Sequence, residues 1–250
     1  MVLLKSKQEI ELLRIPCKIV GEILDELYSY IRPGITTKNI DKFVNNIIHS
    51  RSAIPSFKNY HGYPASICAS VNEVVVHGIP SDRVLEEGDI ISVDVGAFKE
   101  GFHGDAARTY PVGKISEEAA KLIRVTEESF FNGIENARVG NRLSDISHAV
   151  QKTVENNGFS VVRDFFGHGI GRNLHEEPTI PNFGLPGRGI RLKEGLVIAV
   201  EPMVTTGSYE TKTLKDGWTA VTADNSLAAH YENTVVITEE GPEILTIGSV

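Results

Sequence analysis

The chain resembles itself. "LEEGDIISVDV" at 85–95 and "LKEGLVIAVEP" at 192–202 share a turn-like leader, a glycine and an apolar run that reaches an acid. Further upstream, "IRPGITTKNIDKFV" at 31–44 and "ARVGNRLSDISHAV" at 137–150 share an outline of Arg, any residue, Gly and a capped helix. "HGI" at 77–79 returns at 168–170. A chain that carries one unit twice has two equivalent apolar faces to bury, and two similar halves sharing one sheet bury both. The alignment places Asp94 over Glu201, so each half offers a strand ending in a carboxylate.

The elements between these blocks follow from periodicity and punctuation. Ile10, Leu13, Cys17, Val20, Leu24 and Leu27 recur at three and four and predict a helix over 7–30, stopped by Arg32-Pro33-Gly34. A second helix starts at Thr37 and carries Ile40, Phe43, Val44 and Ile47 on one stripe. Helices of the same kind fit 116–136 and 143–157; strands fit 90–97, 104–110, 196–201, 218–223 and 231–238. Strands and helices do not alternate regularly, which favours α+β over a doubly wound sheet. The expectation is one domain spanning 1–250, with pseudo-repeats at about 7–110 and 116–238.

Charge and cysteine usage narrow the setting. A formal charge of −8 disfavours non-specific attachment to nucleic acid or to an anionic membrane. Two cysteines, Cys17 and Cys68, make no disulfide framework and suit a reducing, cytoplasmic compartment. The opening "MVLLKSKQEIELL" turns acidic after a short apolar run, unlike a signal peptide. Apolar runs stay near five residues, far short of the roughly 20 that span a bilayer.

The chemistry lies in acids set among buried strands. In "DIISVDVGAFKEGFHGDAARTY" a turn centred on Lys99-Glu100 would put Asp94 opposite Asp105 on one face of a hairpin. Glu201 ends "LVIAV", and Glu232 sits in "HYENTVVI". Each has an ordinary explanation alone: Asp94 capping a turn, Asp105 in a turn, Glu201 ending its strand before Pro202, Glu232 facing water. Together, four carboxylates at similar sheet positions around one core would repel and lose hydration. No Lys or Arg lies within these strand cores, although Arg108 is near one, so bound cations are the natural remedy. His168, between the glycines of "GHGIG", offers an imidazole. This hard, oxygen-rich set suits two ions of Co, Mn, Fe or Zn. His77 fits a core histidine or a site residue, and His175 a surface residue or a site residue. His61 reads as a turn residue. His49, His103, His148 and His230 belong to no comparable constellation. Cys68 reads as pocket lining rather than as a nucleophile.

The chain resembles the type I methionine aminopeptidases of the pita-bread fold. "YHGYPASICASVNEVVVHGIP" at 60–80, the hairpin block at 89–110, "GHGIGRNLHEEP" at 167–178, "IAVEPM" at 198–203 and "DGWTAVTADNSLAAHYENTVVIT" at 216–238 carry the likeness. It implies an α+β fold with a pseudo-two-fold repeat of helices packed on a curved, mainly antiparallel sheet, forming a single catalytic domain. It implies a dinuclear site in which Asp105 and Glu232 bridge, Asp94 holds mainly one ion, and His168 with Glu201 holds the other. His77, His175 and Glu201 become catalytic: His77 at the scissile amide, His175 on the oxygen of the tetrahedral intermediate, Glu201 in proton transfer. Tyr60, Tyr63, Cys68, His77, Leu174, His175 and Trp218 become the substrate pocket. The partner implied is the N-terminus of a peptide or nascent protein beginning with methionine and a small second residue. A cytoplasmic monomer is implied, with room for transient ribosome contact and without need of nucleic acid or membrane. Leu174 departs from the aromatic residue many type I enzymes carry there, which puts fine substrate preference in question. The gap of 33 positions from His168 to Glu201 leaves no space for the type II insertion. Two rival readings remain: a proline-directed peptidase of the same fold, and a catalytically silent module attached to the translation machinery.

Overall fold

This computed structural model describes residues 2–248. The first half runs α1 (Lys7–Tyr30), α2 (Thr37–Ser50), β1 (Ile54–Pro55), β2 (Ile67–Val71), β3 (Val74–Val76), β4 (Ile90–Lys99) and β5 (Phe102–Pro111). The second half runs α3 (Glu117–Ile134), α4 (Leu143–Asn156), β6 (Ser160–Val161), β7 (Gly167–Gly169), β8 (Glu176–Ile180), β9 (Val197–Val200), β10 (Met203–Thr205), β11 (Thr211–Thr213), β12 (Ala220–Thr222), β13 (Ala228–His230), β14 (Glu232–Ile237) and β15 (Pro242–Ile244). The curved main sheet follows the order β1-β4-β5-β14-β9-β7-β8, with β2 on β4 and β15 on β14. Two three-stranded sheets, β13-β10-β6 and β11-β12-β3, flank it. Every pairing is antiparallel, so the α+β expectation holds. No helix among the described residues is long and apolar enough to cross a membrane.

The helices begin and face inward as their sequences dictate. Ser6 and Glu9 form a reciprocal cap at the start of α1, and Leu13, Cys17, Val20, Leu24 and Leu27 are all buried. Burying each such side chain stabilises the fold by about 1.5–3 kcal/mol. Alternation on β4 sends Ile91, Val93, Val95 and Ala97 into the core formed with α1 and α2. The equivalent core of the second half joins Phe130, Ile134 and Ile146 to Ile198, Val200, Val235 and Ile237. The helices cover one side of the sheet. The other side is left to Asp94 and its neighbours.

The internal repeat extends to individual main-chain hydrogen bonds. Gly34 N–H donates to Leu85 O, Leu85 N–H to Ile35 O and Thr37 N–H to Arg83 O. Gly140 to Leu192, Leu192 to Asn141 and Leu143 to Ile190 repeat that set about 106 residues on. In the sheet, Ile90 opposes Pro111 and Val197 opposes Val236. These registers fix offsets of 107 residues from β4 to β9 and 125 from β5 to β14. Asp94 therefore coincides with Glu201, as the aligned sequences require.

Two sequence expectations need correction. "HGI" is not part of the duplicated frame. His168 opposes Ala199 on β9, and the matching place opposite Ser92 on β4 belongs to Ser70. His77 lies beyond β3, outside any paired strand. The hairpin turn also sits one residue later than expected. Lys99 pairs with Phe102, so Glu100 and Gly101 form the turn, with φ of 53° and 81°. Positive φ at both central positions is the type I′ geometry that matches strand twist, and glycine at the second makes it cheap. Asp94 thus opposes Ala107, and Asp105 opposes Gly96. Residues two apart share a face, so the two acids remain diagonal neighbours on one side.

Candidate metal centre

Four strands and one tight loop deliver the acids and the imidazole to one place. β7 is squeezed between β8 and β9. A Cβ at Gly167 would lie 2.4 Å from Ala199 O, and one at Gly169 would lie 2.3 Å from Glu177 O. The glycines admit that close approach and leave His168 as the one side chain presented there. Its Nδ1 donates to Gly169 O at 2.9 Å, which leaves the Nε2 lone pair facing the acids. Nε2 lies 3.9 Å from Asp105 Oδ2 and 3.6 Å from Glu201 Oε1.

The centre is nearly dry. Asp105 and Glu232 are 3% and 2% exposed, and among the described residues Asp94 Oδ1, Asp105 Oδ1 and Glu232 Oε1 have no hydrogen-bond partner. Burial pushes the Asp94 carboxyl up to about 7. Burial raises Asp105, Glu201 and Glu232 well above the carboxylate range, and their neighbours' charges add to it. Burial holds His168 down at about 3, as a neutral ligand. Arg108 relieves this charge only weakly: it lowers the Glu232 pKa by less than burial and the neighbouring acids raise it. Alternation turns Arg108 to the helix side, where it donates to Glu232 O at 2.6 Å and Asn233 Oδ1 at 2.7 Å and lies over the Tyr231 ring. No lysine or arginine among the described residues lines the cavity. Unpaired oxygens facing each other without a cation, beside a neutral imidazole, fit divalent metal. Two groups of donors can each hold an ion: Asp105, His168 and Glu232; and Asp94, His230 and Glu232. His230 is the residue that sequence reasoning set aside. It is 2% exposed, and burial holds it down at about 3.

Above the acids opens a cavity of about 620 Å³. Tyr60, Tyr63, Cys68, His77, Leu174, His175 and Trp218 all line it. The Tyr63 hydroxyl donates to Ile67 O and Gly78 O, both at 3.0 Å, and its ring meets Trp218 edge-on. Trp218 precedes β12 rather than opening a strand at 218, because Asp216 Oδ1 holds its N–H at 2.9 Å in a turn. Cys68 opposes Asp94 in the β2–β4 register. Burial raises the Cys68 thiol far above its usual range, so it lines the wall as an unreactive group. His77 is held at φ 60°, a costly conformation for a residue with a Cβ, and burial lowers its pKa. His175 Nδ1 lies 2.8 Å from the Tyr60 hydroxyl, and its ring is 4.2 Å from that of His168. Phe57, Phe165 and Phe166 also line the cavity and were missed. The "DFF" immediately before "GHGIG" was the available signal for two of them.

The sequence pattern of metallopeptidase family M24 matches residues 11–239. The chain is 60% identical over 247 residues to the methionine aminopeptidase of Clostridium perfringens, covering 99% of both chains. The chain belongs to the type I methionine aminopeptidases of family M24. The methionine aminopeptidase structure from Thermotoga maritima superposes with a TM-score of 0.97 at 48% identity, covering 99% of this chain and 100% of that one. The Pyrococcus furiosus prolidase matches at a TM-score of 0.79 with 24% identity, over 99% of this chain and 66% of its own, which shows a shared fold alone.

Proposed function

We propose that the chain removes N-terminal methionine from peptides and nascent proteins, with a preference for a small second residue. The observation that carries this reading is the set of orphaned, buried carboxylates at the floor of an aromatic-walled cavity. Asp94, Asp105, His168, Glu201 and Glu232 would hold two divalent ions. When bound, these supply Lewis-acid polarisation of a carbonyl and lower the pKa of a water.

The protein's own groups do the rest. Tyr60, Tyr63, Cys68, Leu174 and Trp218 enclose the methionine side chain, whose polarizable thioether suits aromatic and sulfur surfaces. Buried walls exclude water around it. With the Tyr60 hydroxyl donating to Nδ1, His175 carries its proton on Nε2 and donates it toward the carbonyl oxygen as negative charge develops. His77, neutral through burial, hydrogen-bonds the scissile amide. Glu201 takes the proton of the attacking water and returns it to the leaving nitrogen. The two free, buried cysteines support a reducing, cytoplasmic setting, where a monomer would meet chains as they leave the ribosome.

Chelation followed by separate return of Mn, Co, Fe and Zn tests this, with Met-Ala-Ser and an Xaa-Pro peptide as substrates. Turnover of Met-Ala-Ser should vanish on chelation and return with metal, leaving Xaa-Pro intact. Faster cleavage of Xaa-Pro would favour the proline-directed reading. Binding without metal-dependent turnover would favour the silent module.

A further inference from the structure

His230 ends β13, and its main chain is tightly fixed. Its N–H donates to Thr109 Oγ1 at 3.0 Å and lies 3.2 Å from Ser92 Oγ, while its carbonyl accepts from Thr109 Oγ1 at 2.8 Å. The side chain is 2% exposed, yet Nε2 has no hydrogen-bond partner among the described residues. Leaving a buried nitrogen unpaired forfeits its hydration with nothing in return, so the fold has reason to give it a partner. Nε2 lies 3.7 Å from Glu232 Oε2 and 3.8 Å from Glu201 Oε2.

Those distances exceed the ~2.7–3.2 Å of a hydrogen bond. They suit co-ligands instead: two donors about 2.1 Å from one ion, set 90–130° apart, are separated by roughly 3.0–3.8 Å. His168 shows almost the same spacing, 3.6 and 3.9 Å, to its own acids. The repeat adds an independent argument. Asp105 opposes Gly96, and at the repeat offsets His230 opposes Met203. His230 therefore occupies in the second half the place that Asp105 occupies in the first.

We propose that His230 is a direct metal ligand, joining Asp94 and Glu232 at one ion while His168 joins Asp105, Glu201 and Glu232 at the other. Each ion then receives one imidazole. This rests on the paired-ion reading above. It adds a nitrogen donor to the side of the site otherwise built from oxygen, which shifts that side's preference toward Co, Fe and Zn over Mn.

The test uses full-length protein stripped of metal and titrated with Co(II). Calorimetry counts the binding events, and proton NMR in water counts hyperfine-shifted, exchangeable imidazole N–H signals. Wild type should bind two Co(II) and show two such signals. His230→Gln should lose one signal and bind one of the two ions at least about tenfold more weakly. His168→Gln should lose the other signal. A single signal in wild type, absent only in His168→Gln, would overturn the proposal, as would unchanged Co(II) affinities in folded His230→Gln. The wild-type spectrum decides the count even where a variant fails to fold. Fewer than two Co(II) bound by wild type would defeat the paired-ion reading itself, a different outcome from two ions with one imidazole.

Discussion

In the first half of the sheet, Ser70, Asp94, Asp105 and Ala107 face the cavity side. At the same offsets the second half presents His168, Glu201, His230 and Glu232. The frame that carries both sets is shared down to single N–H and C=O groups, as in the turns at Leu85 and Leu192. Main-chain hydrogen bonds do not depend on side-chain identity, so the frame survives while the equipment diverges. The second half supplies four metal-capable side chains at these places and the first supplies two. Only the Asp94–Glu201 pair keeps its chemistry. The centre is thus asymmetric although its scaffold is symmetric, and the second half offers more of the side chains that could hold an ion.

The largest effect should come from paired substitutions at one equivalent position. His168→Ala removes a neutral donor already aimed at Asp105 and Glu201. Turnover of Met-Ala-Ser should fall roughly 10³-fold, with loss of one equivalent of metal, read by elemental analysis. Ser70→Ala, at the same place in the other half, should leave both ions and most turnover intact. Ser70 Oγ accepts from Gly78 N–H at 3.3 Å, so the cost should be about 1 kcal/mol in denaturant unfolding. Equal metal loss in both variants would refute the asymmetry.

A smaller effect separates the halves by pH. In metal-free protein the four carboxyls have folded pKa values raised above their unfolded values near 4, Asp94 reaching about 7. Their stabilising contribution is complete below the unfolded value and is lost as pH rises through the folded one. His168 and His230, lowered to about 3, contribute in the opposite sense: fully above about 6.5, and progressively less as pH falls toward 3. Between pH ~6.5 and ~8 the histidine contribution is nearly complete, and the falling carboxyl contribution sets the trend. The chelated protein should melt at a lower temperature at pH 8 than at 6.5, and Co(II) should flatten the trend because bound ions favour ionised ligands. A melting temperature that rises across that window without metal would contradict the burial of these acids.

What the sequence revealed follows the same division. Helix starts were readable because Ser6, Thr36 and Ser116 are cap residues, and the end of α1 because Arg32-Pro33-Gly34 cannot continue it. The acids were readable because carboxylates are anomalous inside runs such as "IISVDV". The hairpin register was not, because placing the turn required knowing that Glu100 accepts a left-handed backbone beside Gly101. His230 was missed because "AAHYEN" looks like ordinary strand. Its signal was the two-residue spacing to Glu232, which sets both on one face. The cavity walls at Phe57 and Phe165 come from segments far apart in the chain, and no local pattern joins them.

The smallest expected effect concerns the frame rather than the site. α2 and α4 are equivalent helices with unequal caps. At α2, Asn39 N–H donates to Thr36 Oγ1 at 3.1 Å, and Thr36 N–H donates back to Asn39 Oδ1 at 3.0 Å. At α4 the matching residue is Arg142, whose N–H reaches Asp145 Oδ2 at 2.7 Å but whose side chain supplies no acceptor. Half of the reciprocal arrangement is therefore missing in the second half. Arg142→Thr should install it and stabilise the protein by about 0.5–1 kcal/mol, less what is lost with the exposed guanidinium contact to Gly189 O. Thr36→Ala should cost about 1 kcal/mol. Both are measurable as shifts in denaturant midpoint with metal content unchanged. If Arg142→Thr destabilised by as much as Thr36→Ala, the guanidinium contact would be carrying the α4 terminus, and the two halves would differ in how their frame is held as well as in how it is equipped.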